Sequence, residues 1–165
     1  MAQVFVSIGS NIEKEKYIPK SLTCLEKAFG RLTLSSLFES EAIGFEGPIF
    51  YNMVVGFNTE KTVEQVASEL RELEYANGRD PNAVKNSPRT LDLDLLLFDD
   101  LIISTPAQLP REEITKNAFV LWPLSEIAGE IAHPIAQKTY SQLWLEYDKS
   151  SQKLKAVPLY WTSSI

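Results

Sequence analysis

The run Leu91-Asp92-Leu93-Asp94-Leu95-Leu96-Leu97-Phe98 constrains this chain more than any other stretch. Successive side chains of a strand point to opposite faces, so Leu91, Leu93 and Leu95 turn to a buried side while Asp92 and Asp94 project together from the other. The chain must therefore build a sheet that is covered on at least one face. Two rises separate the carboxylates by roughly 6 to 7 Å, and at an effective dielectric of about 20 their repulsion is on the order of 2 to 3 kcal/mol. A divalent cation between them converts that repulsion into affinity. Hard oxygen ligands that leave room for phosphate and water suit Mg2+.

Upstream, the β-rich residues 4–8 end at Gly9-Ser10-Asn11, small and amide residues that stop a strand and let backbone N–H groups approach a ligand. Ile18, Leu22, Leu25 and Phe29 recur at helical spacing, with Gly30 as the stop. Residues 32–39 and 51–58 read as two further strands, parted by a loop that holds Gly44, Gly47 and Pro48. Thr62 with Gln65 makes a capping box, and Val63, Val66, Leu70 and Leu73 form the apolar face of a second helix closed by Gly78. A polar, proline-marked loop over 79–88 leads into the acidic strand, and Asp99-Asp100 turns it back into a strand at Leu101-Ile102-Ile103. That order is the split βαβ arrangement. It predicts an α+β fold, a ferredoxin-like βαββαβ sandwich with an added β-hairpin, short C-terminal helices over 117–128 and 140–146, and a last strand within 154–160. The whole of 1–165 reads as one domain.

The formal charge of −6 disfavours general binding to nucleic acid or to an anionic membrane, so any positive charge that receives an anion must be local. It gathers in one place. Pro88-Arg89-Thr90 sets a guanidinium beside the acid pair, with Lys85 and Arg79 on the preceding loop, a sensible receptor for a metal–polyphosphate complex. Neither G-x-x-x-x-G-K-[ST] nor G-x-G-x-x-G is present, so side chains and metal must hold the phosphates. The sole histidine, His133, has no nearby histidine or cysteine and reads as structural or surface, not as a zinc ligand. The sole cysteine, Cys24, lies on a helical apolar stripe as a core filler and fits a reducing compartment. No apolar run approaches the roughly 20 residues that a bilayer needs, and the N-terminus runs straight into a strand without a basic region, which predicts a cytoplasmic protein.

The run from Ser87 through Pro88, Arg89, Thr90, Leu91, Asp92, Leu93, Asp94 and Leu95 to Leu96 resembles the signature of the 6-hydroxymethyl-7,8-dihydropterin pyrophosphokinase family. Ser7-Ile8-Gly9-Ser10-Asn11 resembles that family's opening strand and turn, Tyr51-Asn52 its pterin-side strand, and Ala118-Phe119-Val120-Leu121-Trp122-Pro123-Leu124 its segment after the nucleotide loop. The resemblance implies transfer of pyrophosphate from ATP to the pterin hydroxymethyl group, with a pair of Mg2+ ions on Asp92 and Asp94. It implies a pterin pocket of Phe50 and Phe119 faces, the Asn52 amide, Ser40 and the backbone near Ile43. Arg71, Glu74 and Leu95 fall at the adenine side, and Arg79, Lys85, Arg89 and Arg111 at the triphosphate, where Arg79, Lys85 and Arg89 join the aspartates as candidate catalytic residues. The partners implied are a small-molecule pterin and ATP, and the expected state is a monomer. Departures are local: the 79–88 loop carries Pro81, Asn82, Lys85 and Asn86 where the family commonly has more arginines and a tryptophan. Pro110-Arg111-Glu112-Glu113 and Asn117 stand where a proline-histidine pair and a later arginine are usual, and Glu41 where a proline is common. The alternative expectation is a divergent paralogue that binds a pterin or nucleotide with altered or no catalysis.

Overall fold

The computed structural model describes residues 1–40, 49–79, 82 and 90–165. Along the chain come β1 (Ala2–Ser10), α1 (Lys14–Phe29), β2 (Thr33–Leu34), β3 (Leu37–Ser40), β4 (Phe50–Thr59), α2 (Val63–Ala76), β5 (Asp92–Phe98), a short 3-10 turn (Glu112–Thr115), α3 (Ala118–Ala128), α4 (Tyr140–Glu146) and β6 (Lys155–Val157). The strands form one sheet in the order β5-β1-β4-β3-β6, with β2 also paired to β4. Central β1 runs antiparallel to both β4 and β5, which is the ferredoxin-like arrangement that the sequence predicts. An extra strand, β6, extends it beyond β3.

Helices α1 and α2 cover one face of the sheet. Val4, Val6 and Ile8 of β1, Met53, Val55 and Phe57 of β4, and Leu93 and Leu95 of β5 bury there against Ile18, Leu22, Leu25, Val66 and Leu70. The predicted capping box starts α2: the Thr62 N–H donates to Gln65 Oε1 at 2.8 Å and the Gln65 N–H donates to Thr62 Oγ1 at 3.2 Å. The other face packs on α3 and α4, where Phe5, Val54, Leu96 and Leu97 meet Val120, Leu121, Leu124 and Tyr140.

Strand β5 serves both layers through a register shift. Phe5 pairs with Leu97 but Val6 pairs with Leu95, so Leu96 is the extra residue of a bulge. Leu96 and Leu97 both enter the α3 layer, and Phe98 returns to the other. This is why strict alternation stops at Leu95.

Three expectations are corrected. The strand predicted over 32–39 divides into β2 and β3, because Ser35 Oγ accepts from the Val54 N–H at 2.9 Å and the Ser36 N–H and hydroxyl both donate to Glu126. Gly9 and Ser10 do not stop a strand: they are its last two residues, paired with Asn52 and Tyr51. The hairpin into 101–103 does not form. Asp99, in the left-handed region at φ 50, exchanges hydrogen bonds with the Gln3 backbone, and Ile103 bridges Leu109 instead. The outer edge of β5 is occupied otherwise: the Leu93 N–H donates to Glu74 and the Leu96 carbonyl accepts from the Arg111 N–H. The last strand is also short, and beyond it the chain lies over α1, where Trp161 Nε1 donates to Thr23 and the Ser164 N–H to Glu26. No helix among the described residues is long and apolar enough to cross a membrane.

Candidate active site

Parity along the strands builds the site. With Phe5, Val54 and Leu96 facing α3, so do Ser7 and Gly9 of β1, Asn52 of β4, and Asp92 and Asp94 of β5. Their register aligns Asp92, Gly9, Asn52 and Phe38 in one row across four strands, and Asp94, Ser7 and Val54 in the next. At the middle of the first row stands the residue without a side chain. A Cβ on Gly9 would lie 3.1 Å from Asn52 Nδ2, 3.7 Å from Phe50 Cδ1 and 3.9 Å from the Asp92 Cβ, so the glycine keeps open a hollow bounded by an acid, an amide and an aromatic ring. The buried Ser40 hydroxyl donates to Asn52 Oδ1 at 2.7 Å and fixes the amide. Phe38 packs its ring on Trp122 of α3 at 4.5 Å between centroids.

Asp94 faces more negative than positive charge, with Asp92 and Glu113 set against Arg111. Removal from solvent, with the neighbouring charges of Asp92 and Glu113, pushes the Asp94 carboxyl up to about 8, against the opposing pull of Arg111. A hydrogen bond links the two aspartates, the arrangement of an acid pair that shares a proton. Arg111 Nη2 stands 3.4 Å from Asp94 Oδ1, and its guanidinium also pairs with Glu113. Burial acts to lower the Arg111 pKa, but the carboxylates of Asp94 and Glu113 outweigh it and hold the group above its ordinary value. A carboxyl that ionises this reluctantly beside a second one fits a divalent cation, whose charge relieves both costs. Among the described residues no group of three or more His, Cys, Asp and Glu side chains could hold a metal.

The remaining sequence-predicted residues fall in different places. Glu74 is buried at the seam of α2 and β5: Oε1 accepts from Arg79 Nη1 at 2.7 Å and Oε2 from the Leu93 N–H at 2.9 Å. Arg79 is thereby engaged with Glu74. Arg71 stands exposed on α2, and Leu95 is buried in the layer under α1 and α2. Phe50 borders the Gly9 hollow, and half-buried Phe119, the second residue of α3, packs against the layer on the same side of the sheet. Ile43, Lys85 and Arg89 lie outside the described residues. His133 is structural: its Nδ1 accepts from the N–H groups of Ile135 and Ala136, and burial lowers its pKa.

Sequence reasoning missed Ser7, Glu113 and the position of Gly9 within the strand. For Ser7 and Gly9 the signal was available, since Phe5, Ser7 and Gly9 share a parity that becomes smaller and more polar toward the end of β1. Glu113 gave no signal. Its partner Arg111 is two residues away, but the role follows from Asp94, which only tertiary folding brings near.

The ferredoxin-like sandwich thus carries an acid pair, a glycine hollow and a fixed amide on one face. Residues 5–129 match the family model of 7,8-dihydro-6-hydroxymethylpterin-pyrophosphokinase (HPPK), and the chain belongs to that family. It is 33% identical over 141 residues to the 2-amino-4-hydroxy-6-hydroxymethyldihydropteridine pyrophosphokinase of Aquifex aeolicus, covering 84% of this chain and 88% of that one. With the enzyme of the same name from Pseudomonas aeruginosa it shares 31% over 137 residues, 80% of this chain and 84% of that one. Among solved structures it resembles an HPPK-DHPS in complex with substrates, with a TM-score of 0.72 and 13% identity over 91% of this chain and 44% of that one. The Plasmodium falciparum HPPK-DHPS gives a TM-score of 0.69 at 13% identity over 89% of this chain, again 44% of that one. At those identities the two structures bear on the fold alone.

Proposed function

We propose that this chain transfers the pyrophosphoryl group of ATP to the hydroxymethyl oxygen of 6-hydroxymethyl-7,8-dihydropterin, giving AMP and the pterin diphosphate in folate biosynthesis. The observation that carries the reading is the row Asp92, Gly9, Asn52, which sets a cation-seeking acid pair beside an open hollow with a fixed amide. Family membership supports the same assignment.

In this reading the pterin lies in the hollow over Gly9, its amide edge on Asn52 and its faces on Phe50 and Phe119, since aromatic faces with one side-chain amide suit a planar heterocycle. Ser40 holds Asn52 in the orientation that binding requires. Asp92 and Asp94 would hold Mg2+, a pair of ions as in the resemblance, which would supply positive charge to the phosphate oxygens. Arg111, already 3.4 Å from Asp94, lies within reach of the same phosphates, and Arg79, Lys85 and Arg89 supply further positive charge. The pterin hydroxyl oxygen attacks the β-phosphorus, the bond from that phosphorus to the α–β bridging oxygen breaks, AMP leaves with that oxygen, and the hydroxyl proton passes to water. The residues contribute mainly by positioning. The acidic balance disfavours nucleic-acid partners, the lone Cys24 accords with a reducing compartment such as the cytoplasm, and we take the chain as a monomer.

A second reading, binding without catalysis, is favoured by one observation: Arg79 is occupied by Glu74 instead of standing open to phosphate. One assay separates the two. Mixed with Mg-ATP and hydroxymethyldihydropterin, the active enzyme forms AMP and pterin diphosphate in equal amounts. Release of ADP, or no nucleotide consumption at any pterin concentration, rejects the pyrophosphokinase, and pterin binding by calorimetry without AMP establishes the alternative.

A further inference from the structure

The helix that carries Phe119 starts without a cap of its own. Asn117 precedes α3 but makes no side-chain capping bond, although a helix start leaves backbone N–H groups without intrahelical partners. The cap comes from 34 residues further on. Gln152 Oε1 accepts from the Ala118 N–H at 2.8 Å, while its Nε2 donates to Asn117 Oδ1 at 3.0 Å and to the Lys116 carbonyl at 3.4 Å. The Tyr147 hydroxyl donates to that same carbonyl at 2.8 Å. Three residues beyond Gln152 begins β6, which pairs Lys155 with Glu39 on β3, the strand that carries Ser40. One segment thus holds both the start of α3 and strand β3, and it lies outside residues 5–129 that match the family model.

We propose that Gln152 is a positioning residue for the pterin: by capping α3 from a distance it holds Phe119 at the spacing from β3 and β4 that the flat ring needs. This rests on the pyrophosphokinase reading. If the first turn of α3 frays, only part of the population keeps a competent pocket, and apparent affinity falls by that fraction. The clamp also holds the Lys116 carbonyl, next to the 3-10 turn that follows Arg111, but it grips α3 and β3 rather than β5, which carries the aspartates.

The test is pterin titration by calorimetry on the full chain, with steady-state AMP formation, for wild type, Gln152→Ala, Gln152→Glu and Tyr147→Phe. For Gln152→Ala the expected result is pterin binding weakened about fivefold, the size of one lost cap, with KM for ATP changed less than about twofold and faster hydrogen exchange at the Ala118 amide. Gln152→Glu keeps an acceptor for Ala118 but turns a second acceptor toward Asn117 Oδ1 and the Lys116 carbonyl, so it recovers only part of the pterin affinity. Tyr147→Phe weakens it in the same direction by less. Unchanged pterin affinity in Gln152→Ala, equal weakening toward pterin and ATP, or an unchanged exchange rate at the Ala118 amide in that variant overturns the proposal alone. A wild type that neither binds pterin nor forms AMP overturns the pyrophosphokinase reading and this inference with it.

Discussion

Two carboxylates on either side of strand β5 have opposite fates. Glu74 reaches the strand's edge from α2, and its oxygens are satisfied by Arg79 and by the Leu93 N–H. Asp94 sits two residues along the strand from Asp92, keeps 30% of its side-chain surface, and has Arg111 at only 3.4 Å to set against Asp92 and Glu113. The first acid is compensated by the protein. The second keeps an excess of negative neighbours that a bound cation would offset. An acid with its own partners makes a joint; an acid beside like charge makes a site.

The sharpest way to break that contrast is to remove each acid in turn. Asp94→Ala should lower AMP formation by at least about a thousandfold, the scale of losing a metal-centred charge clamp, and leave the urea midpoint unchanged or raised. An enzyme that retains a tenth of its turnover after this change has its site elsewhere. Glu74→Ala should do the reverse to stability, costing about 3 kcal/mol because Arg79 and the Leu93 N–H lose their partner; denaturation read by circular dichroism decides it, and a change below about 0.5 kcal/mol would mean that the joint is idle.

Gly9→Ala probes the hollow between the acids and the amide. The new methyl lies 3.1 Å from Asn52 Nδ2, so pterin affinity should fall about tenfold, an overpacking cost of 1 to 3 kcal/mol expressed in binding, while ATP affinity measured alone stays within about twofold. Equal losses for both ligands would place the hollow on the nucleotide side.

The pH effect tests the same acid without removing it. In the folded chain Asp94 keeps its proton up to about 8, whereas unfolded it ionises near 3.9. The folded state therefore binds more protons across that window, and Asp94 costs stability progressively as pH rises from about 4 to about 8. Thermal midpoints of wild type and Asp94→Asn should diverge in the variant's favour over that range, and Mg2+ should narrow the gap. A constant difference across pH would show that Asp94 is an ordinary surface acid.

How much of this was legible in the sequence depends on the reach of each interaction. The capping box of Thr62 and Gln65 was readable because it closes within three residues. The shared face of Asp92 and Asp94 was readable because pleating is local. The bulge at Leu96 was not, since a run of leucines has no polar residue to show where the faces exchange. Nor was the failure of the 99–103 hairpin, because Asp99 chose the Gln3 backbone, 96 residues away in sequence. Arg79 could be placed near the site, but its engagement by Glu74 needed α2 and the following loop in three dimensions.

By itself the sequence determined that a strand presents two acids on one face, that its neighbours alternate strand and helix in the split βαβ order, and that the chain resembles one enzyme family. Those follow from period, caps and spacing, which act over a few residues. Tertiary structure alone decided that Gly9 lies between Asp92 and Asn52, that Arg111 and Glu113 set the charge around Asp94, and that Gln152 caps the helix of Phe119. Each of these pairs groups far apart in the chain or on different strands, and only the burial of two apolar layers against one sheet brings them within hydrogen-bond or Coulombic range.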